Sequence, residues 1–331
     1  MGGVNTAPLV IGHRGASGYR PEHSRGAYEL AFTLGADLVE PDIVATKDGV
    51  LVLRHENEIT GTTDVAQHPE FAARRTTKVI DGVSLTGWFT EDFTFAELRT
   101  LRAVERLPQL RQQSSTFDGR GRILSLAQLV EIIDQASEKQ GRPLGMVAEI
   151  KHATHFASIG LPLDELFAAE IAGWAQRDRL VIESFEETVL HSIRDRGVPG
   201  RLVYLVEKGG RPADLVARDG KRAATYASQV TDAGLALLAA RVDGVSVDKR
   251  LIVDHETGAV SEIVARAHTA GLDIFTWTLR PENRFLSRAH RGRGGPAAWG
   301  DWRSEFRAII GTGIDGVFAD HPDLVHSALR P

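Results

Sequence analysis

The sequence lacks the features that would tie it to an oxidising compartment or to a membrane. It has no cysteine among its 331 residues, so disulfides and thiolate chemistry are excluded. No apolar run approaches the roughly 18 residues of a membrane span, and residues 1–8 lack the charged and apolar regions of a signal peptide. We therefore expect no stable membrane insertion and a cytoplasmic protein as the chain stands. A secreted or periplasmic protein whose signal peptide was removed is the alternative.

The chain also lacks an excess of basic residues. Its formal net charge is -5 and its pI is near 6.2, whereas proteins that bind nucleic acid carry basic patches. We expect no nucleic-acid partner, and any affinity for phosphate must be local. Hydrophobic residues make up 42% of the chain, which is ample for a core. The length fits one barrel of about 250 residues with insertions.

Two acidic residues stand two positions apart in the strand-like segment 37–44. The strand period of two places Glu40 and Asp42 on one face. Two adjacent anions repel each other unless a cation lies between them, and oxygen ligands suit a hard ion such as Ca2+ or Mg2+. Pro41 removes a backbone donor, which predicts a position near a strand end rather than in the middle of a sheet.

A histidine ends each of two other strand-like segments. His13 follows the apolar run 9–11, and His55 ends the segment 50–55, where alternate residues share a face. Imidazole exchanges protons near neutral pH, a contribution of roughly 100- to 10,000-fold in rate. Arg14, next to His13, offers a planar fork of donors that suits phosphate. These positions predict acid-base chemistry at the ends of strands.

The remaining pattern predicts a parallel α/β fold. Apolar residues at 27, 30, 31 and 34 form the stripe of a helix after the first strand, and strand and helix patterns alternate again after residue 123. This number of units favours a closed TIM-type (β/α)8 barrel over an open sheet. Residues 58–123 break the rhythm and are expected to be a small insertion after the second strand region. The whole chain, 1–331, is then a single barrel domain.

A third carboxylate stands on a later strand. The segment 144–150 is predicted to be a strand, and Glu149 and Lys151 share a face at its end. In barrels of alternating strands and helices, catalysis takes place at the carboxyl ends of the strands. Glu149 and Lys151 are therefore an acid and a cation in the right place for a site.

Several spaced polar motifs follow one another along nearly the whole chain, with the strongest in the first 55 residues. They are, in order, His13-Arg14-Gly15-Ala16, Pro21-Glu22, the run Gly35-Ala36-Asp37-x-x-Glu40-x-Asp42, Thr46-Lys47-Asp48-Gly49, His55, Glu149-Ile150-Lys151, Ser184-Phe185 and Thr276-Trp277-Thr278. Together they resemble the glycerophosphodiester phosphodiesterase family of the phospholipase C-like phosphodiesterase superfamily. Several motifs in the correct order are far more specific than a lone match.

This resemblance implies metal-dependent hydrolysis of a small-molecule glycerophosphodiester to an alcohol and sn-glycerol 3-phosphate. It implies a divalent cation, Ca2+ or Mg2+, held by Glu40, Asp42 and Glu149. His13 is provisionally the base and His55 the acid. Both their roles and the nucleophile, either water or the substrate's own hydroxyl, are left open. The resemblance also implies that the insertion 58–123 is a cap over the barrel mouth.

Four further residues are expected to contact or shape the substrate site. Arg14 and Lys151 are expected to neutralise charge on the phosphoryl oxygens, although they could instead form only salt bridges with the carboxylates. Glu22 is expected to organise the pocket or to contact a substrate hydroxyl. Trp277 is expected to wall the pocket, where a place in the core would be its ordinary role.

The chain departs from the family pattern at His23, where Asn often follows Pro-Glu, and at Glu56, where Asp often follows the second catalytic histidine. Three alternatives are weighed against the main interpretation. An amidohydrolase-type barrel typically shows His-x-His after its first strand, which this chain lacks. Phospholipase C- or D-type cleavage of a (lyso)phospholipid would be supported by an apolar rim on the cap. A catalytically silent module that binds phosphate esters would need no pair of histidines. The headgroup, the preferred ion and the oligomeric state are left open.

Overall fold

The structure is a computed structural model, and it describes residues 7–330 of the chain. Within this range the chain forms twelve strands. They are β1 (Leu9–His13), β2 (Leu38–Glu40), β3 (Asp42–Ala45), β4 (Leu51–Leu53), β5 (Thr76–Ile80), β6 (Val83–Gly87), β7 (Gly145–Ile150), β8 (Leu180–Ser184), β9 (Arg201–Val206), β10 (Gly244–Asp248), β11 (Asp273–Leu279) and β12 (Gly316–Ala319).

The same range contains thirteen α-helices. They are α1 (Arg25–Thr33), α2 (Phe95–Leu98), α3 (Gln112–Ser115), α4 (Leu126–Gln140), α5 (Ala153–Ser158), α6 (Leu163–Ile171), α7 (Glu187–Asp195), α8 (Ala213–Asp219), α9 (Tyr226–Gln229), α10 (Asp232–Ala239), α11 (Ile263–Thr269), α12 (Trp302–Ile310) and α13 (Pro322–Leu329). Serine caps start two of the helices that pack beside the site, because the Ser24 and Ser125 side chains accept from free N–H groups in the first turns of α1 and α4. None of the helices described here is long and apolar enough to cross a bilayer.

Eight of the strands run parallel and close into a barrel in the order β1, β2, β7, β8, β9, β10, β11, β12. The ring closes through the pairings of β1 with β12 and of β2 with β7. Pro41 ends β2, and β3 continues beyond it beside β7. The predicted TIM-type barrel is therefore confirmed, and Pro41 lies at a strand end as expected.

The segment 50–55 does not form a strand of the barrel, although we expected its histidine to end a strand as His13 does. β4 instead pairs with β3 in the antiparallel direction. The connection spans only residues 46–50 and includes Gly49 with a φ of +77°. A turn this short joins only antiparallel strands, because a parallel pair needs a crossover of a dozen or more residues. His55 therefore reaches the barrel mouth from the end of a hairpin.

The chain between β4 and α4 forms short helices and a two-stranded hairpin, β5 and β6, rather than barrel units. Its buried aromatic residues Phe71, Trp88 and Phe93 join the main hydrophobic core, and the rings of Phe71 and Phe93 meet edge to face at 5.0 Å. The indole of Trp88 donates to the backbone oxygen of Phe71. The limits 58 and 123, and the division into one barrel domain with a cap region, stay predictions.

Side chains inside the barrel form two layers. The lower one, which we call the apolar layer, contains one residue from each of seven barrel strands: Ile11, Leu38, Val147, Val181, Val203, Phe275 and Phe318. Because side chains alternate along a strand, residues two positions later face the same interior nearer the carboxyl ends. Five of those seven positions carry buried polar side chains, which we call the polar layer: His13, Glu40, Glu149, Glu183 and Asp320. The site is thus built directly on top of the barrel core.

Candidate active site

Three carboxylates meet at the carboxyl end of the barrel. Glu40 ends β2, Asp42 begins β3, and Glu149 is the register partner of Asp42 on β7. Each offers one oxygen atom, and these oxygens all lie within 4.8 Å of one another. All three side chains are buried. The structure therefore brings together the three acids that the sequence singled out, although Glu149 comes from a separate part of the chain.

The charged forms of two of the three acids are disfavoured in the cluster. Burial, together with the neighbouring Asp42, raises the pKa of Glu40 well above its ordinary value. Burial also raises the pKa of Glu149 to about 8. Asp42 differs, because the cationic side chains beside it outweigh its burial and hold its pKa well below the ordinary value. At neutral pH Asp42 is therefore ionised, whereas the ionised forms of Glu40 and Glu149 are disfavoured.

The donor set fits a hard divalent cation. Oδ1 of Asp42 is buried and has no hydrogen-bond partner among the described residues, and a buried acceptor without a donor is costly. Carboxylate oxygens are the ligands that Ca2+ and Mg2+ prefer. A cation between the three acids would satisfy this oxygen and favour the ionised forms of Glu40 and Glu149, whose pKa is raised chiefly by burial.

Two cationic side chains border the cluster. Arg14 Nε lies 3.1 Å from Asp42 Oδ2, and Lys151 Nζ lies 2.7 Å from Glu149 Oε1. Arg14 has a left-handed backbone with a φ of 58°, and its N–H donates to Oε2 of Glu40 at 2.7 Å. Both cations thus form the salt bridges that were the simpler alternative. They also stand where a phosphoryl group beside the acids would need positive charge.

His13 is one half of a histidine-carboxylate pair. Its Nδ1 lies 2.6 Å from Oδ1 of Asp320, just past the end of β12. Despite burial, Arg280 and Arg111 hold the pKa of Asp320 well below its ordinary value. An ionised carboxylate only accepts, so the proton of His13 is on Nδ1 and the lone pair is on Nε2. Burial, reinforced by Arg14, lowers the pKa of His13 to about 4, which keeps the ring neutral at pH 7.

His55 has the same kind of partner. Its Nδ1 lies 2.5 Å from Oε1 of Glu56, and hydrogen bonds from His55 and Arg106 hold the pKa of Glu56 well below its ordinary value despite burial. Burial and neighbouring cations lower the pKa of His55 to about 3. The His55 side chain is 30% exposed, whereas that of His13 is 9% exposed. His55 is therefore the histidine nearer to solvent.

Glu22 holds two arginines rather than presenting a free oxygen. Its Oε1 accepts from Arg106 Nη2 at 2.7 Å. Its Oε2 accepts from Arg106 Nε at 2.7 Å and from Arg14 Nη1 at 3.0 Å. Because both oxygens are engaged, this geometry favours the organising role expected for Glu22 over a contact with a substrate hydroxyl.

Trp277 lies two positions after Phe275 of the apolar layer and is partly exposed. Its ring meets that of Phe185 edge to face at 5.7 Å, and Nε1 donates to the backbone oxygen of Ser246 at 3.3 Å. Lys151 Nζ lies 5.6 Å from the centre of the same Phe185 ring. Trp277 therefore packs between the apolar layer and the side chains that line the barrel mouth. Its contact with substrate stays a prediction.

The departure at position 23 has a visible consequence. His23 is fully buried, with Nε2 at 2.9 Å from Asp42 Oδ2 and Nδ1 at 2.7 Å from the hydroxyl of Tyr28. Burial lowers its pKa, so the neutral ring donates from Nε2 to the ionised Asp42 and accepts from Tyr28. The other departure, Glu56, is the carboxylate that holds His55.

Sequence reasoning missed Asp320 and Glu183 of the polar layer. Each stands two positions after an apolar strand residue, Phe318 and Val181 respectively, and this spacing is the signal that could have found them. Glu183 pairs in register with Glu149. Burial and the nearby Glu149 raise the pKa of Glu183 well above its ordinary value. Arg106 and Arg111 were also missed, because they lie in the irregular insertion.

A cavity of about 600 Å3 opens beside Glu149 and Lys151. Phe185 lies in its wall, and its rim includes the apolar side chains of Val79 and Val216, which are 65% and 43% exposed. Val79 belongs to the insertion and Val216 to α8. Of the site residues, Glu149 and Lys151 are thus accessible from a cleft with room for a substrate group.

The sequence matches the model of the Glycerophosphoryl diester phosphodiesterase family over residues 13–324. A glycerophosphodiester phosphodiesterase from Arabidopsis thaliana is 30% identical over 338 residues, which cover 97% of this chain and 85% of the plant protein. A glycerophosphodiester phosphodiesterase from Treponema pallidum is 25% identical, covering 85% of this chain and 83% of its own.

Solved structures share the barrel. A phosphodiesterase from Oleispira antarctica, solved with its product sn-glycerol-3-phosphate, has a TM-score of 0.63 at 19% identity and covers 98% of both chains. A glycerophosphodiester phosphodiesterase from Thermotoga maritima has a TM-score of 0.53 at 17% identity, covering 97% of this chain and 98% of its own. At these identities the likeness concerns the fold alone.

Proposed function

We propose, because the chain belongs to the glycerophosphoryl diester phosphodiesterase family, that this hydrolase uses a divalent cation and two histidines to release an alcohol and sn-glycerol 3-phosphate. The observation that carries the proposal is a set of three buried carboxylates accompanied by two histidines, each bonded through Nδ1 to an acidic side chain. The product is supported by the relatives' activity and by the product bound to the Oleispira antarctica protein.

The cation would be held by Glu40, Asp42 and Glu149, with Ca2+ and Mg2+ as the candidate ions. When bound, it supplies Lewis acidity that polarises a phosphoryl oxygen. The chain's own contribution is to exclude water from this point and to hold Asp42 ionised. His23 and Arg14 contribute to the second task through their contacts with Asp42.

His13 would be the general base. Its Nδ1–H is held by the ionised Asp320, so the lone pair on Nε2 is free to take a proton, and the carboxylate stabilises the imidazolium that forms. The nucleophile is either water or a hydroxyl of the substrate, and His13 would take its proton in either case. The new P–O bond forms as that proton leaves. With water as the nucleophile the product is sn-glycerol 3-phosphate directly, whereas with the substrate's hydroxyl it is a cyclic phosphate that a water molecule must then open.

His55 would be the general acid. The bond from phosphorus to the leaving alcohol breaks, and the departing oxygen takes a proton from this ring. We assign this role to His55 because it is the more exposed of the two histidines and the alcohol must depart toward solvent. An anionic phosphodiester beside the ring opposes the lowered pKa of His55, so substrate binding favours the protonated form.

Arg14 and Lys151 would carry the charge that accumulates on the phosphoryl oxygens. Both are buried, and both keep one contact with the acidic cluster. Fixed positive charge at a dry site stabilises developing negative charge without rearrangement at the moment of reaction. The salt bridges with Asp42 and Glu149 therefore orient the Arg14 and Lys151 side chains toward the phosphoryl group.

A second candidate is phospholipase-type cleavage of a lysophospholipid on the same barrel. The exposed Val79 and Val216 at the cavity rim favour it, because an acyl chain needs apolar surface beside the phosphate site. The Val79→Asp variant should then lose turnover of lysophosphatidylcholine and keep turnover of glycerophosphocholine. Equal effects on both substrates would remove this candidate.

The test of metal dependence is a coupled assay for released glycerol 3-phosphate. The substrates are glycerophosphocholine, glycerophosphoethanolamine and glycerophosphoglycerol, each with and without a chelator, followed by addition of Ca2+ or Mg2+. We expect chelation to abolish turnover and one of the two ions to restore it. Turnover that persists after complete chelation contradicts the metal assignment.

A substrate with a different leaving group distinguishes the roles of the two histidines. A glycerophosphodiester of p-nitrophenol releases a weakly basic oxygen that needs no protonation, so its cleavage bypasses the acid. We expect His55→Ala to lose about 100-fold or more on glycerophosphocholine and little on the p-nitrophenyl ester, whereas His13→Ala loses activity on both. The reverse pattern exchanges the two roles, and full activity of either variant removes that histidine from the mechanism.

A further inference from the structure

A short stretch of the insertion, residues 105–111, is held rigidly against the barrel mouth. Glu105 accepts from the backbone N–H of Leu107 at 2.8 Å and from the hydroxyl of Ser114 at 2.5 Å. The backbone N–H of Arg111 donates to the oxygen of Leu107 at 2.9 Å. This stretch carries two arginines, Arg106 and Arg111, and both turn away from their own segment toward side chains of the barrel mouth.

Arg111 holds the partner of His13. Its Nη2 donates to Oδ2 of Asp320 at 2.5 Å, while the other oxygen of Asp320 is bonded to His13. The remaining donors of this buried guanidinium are also engaged, with Nε at 2.8 Å from Glu282 and Nη1 at 3.1 Å from the backbone oxygen of Ser17. Asp320 is therefore fixed between the histidine and two arginines, Arg111 from the insertion and Arg280, whose Nε donates to the same Oδ2 at 2.6 Å.

Arg106 holds the partner of His55. Its Nη1 and Nη2 donate to the two oxygens of Glu56 at 3.0 and 2.7 Å, and Glu56 Oε1 is also bonded to His55. The same guanidinium makes two contacts with Glu22, whose Oε2 accepts from Arg14. Arg106 thus connects Glu56, which orients His55, with Glu22. Glu22 in turn orients Arg14, the phosphate-binding candidate.

We propose that Arg106 and Arg111 are positioning residues, through which the insertion fixes the carboxylate partners of the two catalytic histidines. The inference rests on the proposed roles of His13 and His55 and adds a role for the insertion that a simple cover would not have. The planar fork of arginine suits this task, because each guanidinium contacts two acidic side chains in fixed directions. A lysine would keep the positive charge but could not hold both acidic side chains in fixed directions.

The contrasting explanation is that both arginines only attach the insertion to the barrel. Attachment predicts loss of stability with normal chemistry in the molecules that remain folded. Positioning predicts a lower kcat because the imidazole rings lose their orientation. The KM should stay nearly constant in the Arg111 variants and rise in the Arg106 variants, because Arg106 also holds Glu22, which contacts the phosphate-binding candidate Arg14. Changing the leaving group of the substrate also distinguishes the effects of the two arginines. Arg106 acts through the proposed acid, His55, and Arg111 acts through the proposed base, His13.

The experiment uses the full-length, metal-loaded protein and the variants Arg106→Gln and Arg111→Gln, with Arg106→Lys and Arg111→Lys as conservative substitutions. We expect the glutamine variants to lose roughly 10- to 100-fold in kcat on glycerophosphocholine, and the lysine variants to retain more. On the p-nitrophenyl ester, the kcat of Arg106→Gln should return toward that of the unmodified enzyme, whereas the kcat of Arg111→Gln should stay low. The NMR signal of the His13 Nδ1–H proton should move in Arg111→Gln and stay in Arg106→Gln.

Arg74→Gln is the matched control, because Arg74 makes an equally close pair with Glu97 inside the same insertion and contacts no histidine partner. Positioning is overturned if the Arg106 and Arg111 variants keep the kcat of the control. If Arg111→Gln does not fold, the kcat and NMR signal of Arg111→Lys decide the same question. Failure of the underlying mechanism looks different, since His13→Ala or His55→Ala would then keep the activity of the unmodified enzyme.

Discussion

The two layers inside the barrel differ in nearly every physical respect, although they are only two residues apart on the same strands. The apolar layer consists of side chains that attract one another and leave no group unsatisfied. The polar layer contains buried acids that repel one another, and Oε2 of Glu183 has no hydrogen-bond partner among the described residues. The first layer stabilises the fold, and the second costs stability so that chemistry can take place.

This difference predicts effects of opposite sign in the two layers. Removing a charge from the polar layer should relieve repulsion and stabilise the metal-free protein while it abolishes turnover. Removing volume from the apolar layer should destabilise the protein while the chemistry of the folded molecules persists. The barrel thus separates the determinants of stability from those of catalysis along the length of each strand.

The largest effect is expected for Glu40→Gln. The amide still accepts from the N–H of Arg14, so the local geometry is kept. Loss of one charged ligand should lower kcat/KM by about 1,000-fold, because cation binding contributes several kcal/mol to charge stabilisation. Urea unfolding of the metal-free variant at pH 7 should show an increase of about 1–3 kcal/mol in the free energy of unfolding, since an acid whose charged form is disfavoured by burial and by Asp42 is gone. A loss of stability would contradict the contrast between the layers.

A smaller effect concerns the pH dependence of stability at the polar end. His321 follows Asp320, is buried between the rings of Tyr19 and Trp299, and has a pKa lowered to about 4 by burial and by Arg111. The unfolded chain binds this proton near pH 6.5. Between pH 6.5 and 4 the unfolded state therefore holds more protons, so stability falls as the pH falls, by up to about 3 kcal/mol from this residue.

The measurement is urea unfolding at pH 7, 5.5 and 4.5 for the unmodified protein and for His321→Phe, which keeps an aromatic ring and cannot be protonated. The variant should become relatively more stable as the pH decreases over this range. Parallel curves would show that His321 is not the group responsible.

The smallest effect is expected for Phe275→Leu in the apolar layer. The substitution removes part of a buried ring and should cost about 1–1.5 kcal/mol of unfolding free energy. Turnover by the folded enzyme should stay within about twofold, because the altered side chain contacts none of the reacting groups. Its stability should follow pH in parallel with the unmodified protein, since no titrating group changes. A large loss of kcat at unchanged stability would mean that the layers are not separable.

The sequence predicted the fold class and much of the acidic cluster for local reasons. The alternation of strand and helix patterns indicated the barrel, which the structure confirms. Glu40 and Asp42 share a face because side chains alternate along an extended backbone, and that property needs no knowledge of the fold. Glu149 was expected at the end of a later strand, both from the pattern of that strand and from the family motif, and it lies beside Asp42.

Other features of the site depend on contacts that the local pattern does not contain. Asp320 stands 307 positions after His13, and Arg111 stands 209 positions before Asp320. The segment that ends near His55 was expected to be a strand, but its antiparallel pairing with β3 was not predicted. The roles of the site residues, the cap boundaries and the cytoplasmic location stay predictions.

The sequence by itself determined the period-two order that places an acid or a histidine above an apolar residue on five of the barrel strands. It determined this because side-chain direction is a local property of an extended backbone. Only the tertiary structure decided which of those side chains meet. Closure of β1 against β12 brings His13 to Asp320, and docking of the insertion brings Arg106 and Arg111 to their carboxylates. These meetings depend on packing across the whole chain, which no short stretch of sequence encodes.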